Sequence, residues 1–147
     1  MPERPTGTVT FLFTDIEGST RLWETAPGPM AAAVTRHDAL LRNAVEQAGG
    51  WVFKTVGDAC CAVFDRPADA LRAALEAQLA LQALSFDGLP GPLRVRMALH
   101  TGTAQERDGD YFGPTVNRVA RLLAAGHGGQ VLVSGATRTL LREELPK

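Results

Sequence analysis

The order in which the hydrophobic period changes along the chain limits the fold more than any single residue does. Residues 8–13 (TVTFLF) are a β-rich apolar run. Residues 30–48 repeat apolar positions Val34, Leu41 and Val45 at helical intervals, and Gly49-Gly50 ends that pattern where a C-terminal glycine belongs. Residues 51–55 and 60–64 are two strand-like runs around a turn at Val56-Gly57-Asp58, which makes a hairpin. Alanine and leucine dominate residues 67–84, and Pro67 and Asp69 open the segment, so a second long helix is predicted. Residues 93–100 alternate as a strand, 102–109 read as a polar loop, 115–125 as a helix and 130–134 as a last strand. The order βαββαβ, then αβ, predicts an α+β domain: an antiparallel sheet of the ferredoxin-like kind with helices packed on one face.

Length and charge narrow the class. The chain has 147 residues and 45% hydrophobic content, enough for one core, so residues 1–147 are read as a single domain. Fifteen basic and sixteen acidic residues leave a net charge of −1, with no excess positive charge to draw the chain to nucleic acid or to an anionic membrane. The N-terminal MPERPTGTVTFLF is too short in its apolar part for a membrane span and lacks the basic-then-apolar order of a signal peptide, which predicts a cytoplasmic location. Cys60 and Cys61 are adjacent in the apolar run CCAVF and read as buried strand thiols.

Three segments carry candidate chemistry. In TDIEGST, Asp15 ends a buried strand and Gly18-Ser19-Thr20 leads into a helical pattern, so a carboxylate and unpaired backbone N–H groups converge. Such a place suits a phosphate and the divalent ion it brings, although an ordinary capped turn also accounts for the residues. In KTVGDA, Lys54 and Asp58 flank a hairpin turn, a position where Gly and Asp occur for backbone reasons alone. Asp58 becomes a second metal ligand only if its strand lies beside the one ending at Asp15. In GDYFGPTVNRVARL, Asn117 and Arg121 are four apart and share a helix face, with Asp110 just ahead of the helix. By itself such a pair is usually a solvated face; with the other segments it could orient a ribose and offset charge on a phosphoryl group.

In combination and in this order, FTDIEGST, FKTVGD and GDYFGPTVNRVARL resemble the catalytic domain of class III adenylate and guanylate cyclases. The form is similar to bacterial cyclase homology domains, which occur alone or fused to regulatory modules, and the likeness runs from about residue 8 to residue 134. It implies the nucleotide cyclase fold and an adenylate cyclase that converts ATP to cyclic AMP and pyrophosphate. Asp15, Ile16 and Asp58 fall at the positions for two divalent ions, Mg²⁺ or Mn²⁺. Ile16, Glu17, Gly18, Ser19 and Thr20 fall on the triphosphate loop. Lys54 and Asp110 fall on the base-selecting positions, where a lysine donor and a carboxylate acceptor suit the N1 and amino group of adenine. Asn117 matches a ribose-orienting asparagine and Arg121 a transition-state arginine. The resemblance further implies a homodimer whose two sites each take Asp15 and Asp58 from one chain and Lys54, Asp110, Asn117 and Arg121 from the other.

Family domains continue past the strand matching residues 130–134 with further strands and a phosphate-binding cation, so the chain reads as shortened at its C-terminus. The polar stretch 105–109 also differs in length from that of larger cyclases. Two other classes fit less well. A catalytically silent nucleotide-binding or dimerisation module has little need of all six side chains, and a polymerase-like palm would bring a basic nucleic-acid face that the composition lacks. His37 and His127 are expected at the surface, His100 as a structural histidine, and Trp23 and Trp51 as packing residues.

Overall fold

The computed structural model describes residues 4–144. Its elements run β1 (Gly7–Ile16), α1 (Ser19–Thr25), α2 (Pro27–Gln47), β2 (Trp51–Val56), β3 (Ala59–Phe64), α3 (Pro67–Ala83), β4 (Val95–Arg107), β5 (Asp110–Phe112), α4 (Pro114–Ala124), β6 (Val131–Val133) and α5 (Gly135–Glu144). The main sheet has the order β2-β3-β1-β4, the arrangement expected of a βαββαβ unit. β3 and β4 both pair antiparallel with β1, over Thr10↔Phe64 to Thr14↔Cys60 and Gly7↔Ala104 to Ile16↔Val95. On the far edge of β4, β6 pairs parallel with its first half and β5 antiparallel with its end. No helix among the described residues is long and apolar enough to cross a membrane.

Strand alternation splits the core in two. Leu12, Ile16, Cys60, Ala62, Phe64, Met97 and Leu99 face α2 and α3, which meet them with Leu41, Val45, Ala70, Ala74 and Leu81. Val9, Phe11, Phe13, Cys61, Val63 and Ala98 face the other way. The two crossover helices therefore share one face, as the βαββαβ order requires. α4 follows that unit and seats Val119 and Leu123 on the opposite face, where the expectation had no helix. Two contacts pin it there. Thr115 Oγ1 donates to Thr103 O at 2.6 Å, and a Cβ at Gly102 would stand 2.7 Å from the same oxygen, so glycine permits the approach.

The structure corrects three expectations. Residues 102–107 continue β4 instead of looping, and β4 and β5 form a hairpin across Asp108 (φ 54°) and Gly109 (φ 81°), the paired positive φ angles of a tight hairpin turn. His37 is fully buried, because it falls in phase with Met30, Ala33, Leu41 and Ala44 on the inner stripe of α2. Trp23 is 40% exposed on α1, whereas Trp51 packs against the second core cluster as expected.

Both cysteines are buried, and burial pushes their thiols up from 9.0, to about 12 for Cys60 and about 11 for Cys61. The folded chain thus holds these protons more tightly than the unfolded chain does. Stability from this source is complete below about pH 9 and falls as the pH climbs towards 11 and 12. The melting temperature should accordingly drop between pH 8 and pH 10.5, and at pH 8 a thiol reagent should label both cysteines only at the rate of unfolding. Prompt labelling of the folded chain at pH 8 would contradict the burial.

Candidate functional site

Side chains with chemistry gather at the C-terminal end of β1 and along the sheet face that carries Phe11 and Phe13. Asp15 follows Phe13 by two residues and projects to the same side, directly opposite Arg96 in the β1–β4 register. The carboxylate is gripped at both oxygens: Arg96 Nε donates to Oδ1 at 2.6 Å and Nη2 donates to Oδ2. This fork geometry is the strongest form of the pair, and the hydrogen bond to Asp15 raises the guanidinium pKa above its ordinary value despite desolvation. Sequence reading missed Arg96. Its signal is a charged residue at the start of β4, in phase with the buried Ala98 and so on the sheet face of Phe11 and Phe13.

Asp58 stands in the β2–β3 turn, immediately before Ala59. Because Thr14 pairs with Cys60, the turn lies beside the end of β1, and the Asp58 charge also acts on Arg96. The adjacency that made Asp58 a candidate ligand is therefore present. Its Oδ2 is buried and has no hydrogen-bond partner. A buried carboxylate oxygen left in this state is costly unless something of opposite charge completes it.

Glu17 is tied down in three ways. Its N–H donates to Arg94 O at 2.7 Å, and its Oε2 accepts the Gly128 N–H at 2.6 Å while lying 3.7 Å from Arg94 Nε. Gly18 (φ 72°) then turns the chain in the left-handed region, where glycine is free of strain. Among the described residues the N–H groups of Gly18, Ser19 and Thr20 have no hydrogen-bond partner. The Ile16 side chain is buried on the α2–α3 side, so only its backbone faces the loop.

Lys54 reaches the same sheet face through an irregularity. The β2–β3 register shifts between Val52 and Lys54, which inserts Phe53 as an extra residue and pairs Lys54 with Cys61 instead of Cys60. That shift moves Lys54 from the helix side to the side of Cys61. There it meets Asp110 across 56 positions of sequence, Nζ to Oδ2, at 3.3 Å. Asp110 is oriented at its other oxygen, Oδ1, by the Tyr111 N–H at 2.7 Å. Beneath the pair, Phe11, Phe13, Phe53 and Tyr111 stack with ring centroids 4.8–6.3 Å apart, largely edge to face. With side-chain exposures of 48% and 29%, the Lys54–Asp110 pair contributes little to stability.

Asn117 and Arg121 do not join either group. On α4 each lies two residues from the buried Val119, and Arg121 is also two from the buried Leu123; at 3.6 residues per turn two residues are about 200° around the helix. Both point away from the chain's own core and are exposed, and neither has a side-chain hydrogen bond or ion pair among the described residues. His100 is satisfied structurally: its Nδ1 bonds Ser134 Oγ at 2.7 Å, and burial lowers its pKa. No group of three or more His, Cys, Asp or Glu able to hold a metal is present among the described residues.

Comparison with known proteins identifies the family. The family model described as the adenylate and guanylate cyclase catalytic domain matches residues 1–146. An uncharacterised protein of Mycobacterium tuberculosis is 44% identical over 144 residues, covering 97% of this chain and 48% of its own length. The chain thus spans about half of that relative. An adenylate cyclase of Podospora anserina is 34% identical over 154 residues, covering 88% of this chain and 7% of its own. Among solved structures, an adenylate cyclase from Trypanosoma brucei in its monomeric state superposes with a TM-score of 0.84 at 31% identity, covering 94% of this chain and 78% of that one. With one family matched along nearly every residue and its fold reproduced, this chain belongs to the adenylate and guanylate cyclase catalytic domains.

Proposed function

We propose that the chain is an adenylate cyclase that closes ATP to cyclic AMP with release of pyrophosphate, in a homodimer that shares its two sites between chains. The observation that carries the choice of base is the Lys54–Asp110 pair at 3.3 Å. An ammonium donor beside a carboxylate acceptor matches the N1 acceptor and exocyclic amino donor of adenine, whereas guanine presents the reverse edge. The pair stands on a floor of aromatic rings and adds little to stability, which leaves ligand recognition as its best use.

The residues at the end of β1 fit divalent cations. Asp58 offers a buried oxygen with no partner, and Asp15 offers a second carboxylate, now shared with Arg96. When bound, such ions would neutralise triphosphate charge and acidify the attacking ribose hydroxyl. The N–H groups of Gly18, Ser19 and Thr20 would hold phosphate oxygens, and Arg96 stands ready to exchange its carboxylate for one of them. Asn117 would orient the ribose and Arg121 would offset charge on the phosphoryl group as pyrophosphate leaves. Since both point away from their own core, they would serve the Asp15–Asp58 end of the second chain.

The test is incubation of purified protein with ATP or GTP and Mn²⁺ or Mg²⁺, measuring cyclic nucleotide and pyrophosphate together. Equal cyclic AMP and pyrophosphate with little cyclic GMP is the expected result, and ATP binding without product would favour a silent nucleotide-binding module. Exchanging Lys54→Glu and Asp110→Lys together should reduce the ATP preference by roughly a hundredfold, since two base-edge hydrogen bonds to charged groups are lost. Unchanged ATP over GTP discrimination would remove the base-selecting role.

A further inference from the structure

Behind the Glu17–Gly18 loop, on the α3 side of the sheet and away from Lys54 and Asp110, lies a cleft of about 740 Å³. We propose that it is a binding site for a small organic anion with an apolar body. The volume falls in the range of drug-sized ligands. Its apolar surface comes from Leu22 of α1 and from Pro90, Pro92 and Leu93 of the segment leading into β4. Arg21 and Arg94 also line it.

Charge decides the class of ligand. Arg21 has no ion pair or side-chain hydrogen bond among the described residues. Arg94 is 70% exposed and meets only Glu17, at 3.7 Å, a screened contact of little strength. Glu17 Oε2 is already occupied by the Gly128 N–H at 2.6 Å. Two guanidinium groups therefore face one committed carboxylate, and the surplus is positive. A planar guanidinium fork suits a carboxylate or sulfonate, and the proline and leucine wall suits a hydrocarbon or aromatic body in preference to a polyphosphate.

The walls are set before any ligand arrives. Gln78 spends its amide on Val95 O at 2.8 Å and Gln130 O at 3.2 Å, which fixes the α3 side of the cleft. The segment before β4 is held on α2, where Arg36 lies 5.4 Å over the Phe86 ring and Gly88 is packed on Pro29. A preformed cleft loses less entropy on binding.

The test is fluorescence titration of the purified chain with 8-anilinonaphthalene-1-sulfonate, displaced by decanoate. Saturable binding of one probe per chain is expected, with Trp23 on α1 as an internal reporter. Arg21→Glu should weaken decanoate binding roughly tenfold by removing one charge-assisted contact. Gln82→Trp, at an exposed position beside Gly129, should fill the cleft and abolish binding. Glu17→Gln should tighten it by roughly threefold by releasing Arg94. Non-saturable binding, affinity indifferent to Arg21→Glu and Gln82→Trp in folded variants, or displacement of the probe by ATP would each overturn the proposal.

Discussion

Asp58→Asn is expected to cut cyclase turnover by roughly a thousandfold or more while leaving the melting temperature unchanged or raised. The two effects part because of what the residue does in the folded chain. Its Oδ2 is buried without a hydrogen-bond partner, so the substitution breaks no hydrogen bond at that oxygen on which the fold relies. Under the proposed function the same oxygen supplies an unshared lone pair to a cation, and losing several kcal/mol of transition-state charge stabilisation corresponds to at least three orders of magnitude in rate. Asp15→Asn gives a contrasting signature. It also abolishes turnover, but it breaks the two-pronged contact with Arg96, which has side-chain exposures of 26% and 22%, and therefore lowers stability as well. Thermal melting together with pyrophosphate release separates the two. An Asp58→Asn chain that melted markedly lower and kept its turnover would make Asp58 a structural turn residue.

What the sequence makes legible is whatever depends on local pattern. β1, the β2–β3 hairpin and α3 follow from alternation, glycine placement and helix propensity, and the adjacency of β1 and β3 follows from the βαββαβ order. Asp15 at a strand end and Asp58 in a turn were readable for that reason. The end of β4 was not, because residues 102–107 offer only Ala104 as an apolar side chain and show no clear alternation; only the Asp108-Gly109 pair signals a hairpin there. Position in the fold also escapes local pattern. His37 looked solvated because a polar side chain stands in a buried stripe on α2 that also carries the small Ala33 and Ala44 beside Met30 and Leu41.

Site geometry that depends on register was further out of reach. Alternation alone would send Lys54 to the helix side with Val52, and the inserted Phe53 reverses that. The Lys54–Asp110 contact joins positions 56 apart, so it was available beforehand only through resemblance to a family. Arg96 becomes visible only once β1 and β4 are laid side by side with Asp15 opposite it. Under the proposed function a cation would contend with the Arg96 guanidinium for the Asp15 carboxylate, and a bound polyphosphate would draw the arginine away.

Mixing Asp15→Ala chains with Arg121→Ala chains should recover activity that neither has alone. The expectation rests on the orientation of α4: Val119 and Leu123 are buried, so Arg121 and Asn117 face outward and are exposed. Within one chain no hydrogen bond or ion pair among the described residues holds Arg121 at Asp15 or Asp58. In the proposed two-fold dimer each site would take its carboxylates from one chain and its α4 residues from the other. An Asp15→Ala and Arg121→Ala pair then places both defects in one site and leaves the second intact. Random exchange at equal amounts makes about half the dimers mixed, each with one working site of two, so recovery should reach about a quarter of the parent rate. Cyclic AMP formation is measured against mixing ratio, with mixed dimers quantified by native mass spectrometry. Activity tracking the mixed fraction supports sharing; mixed dimers that form and stay silent would return Arg121 to the solvated face of a helix.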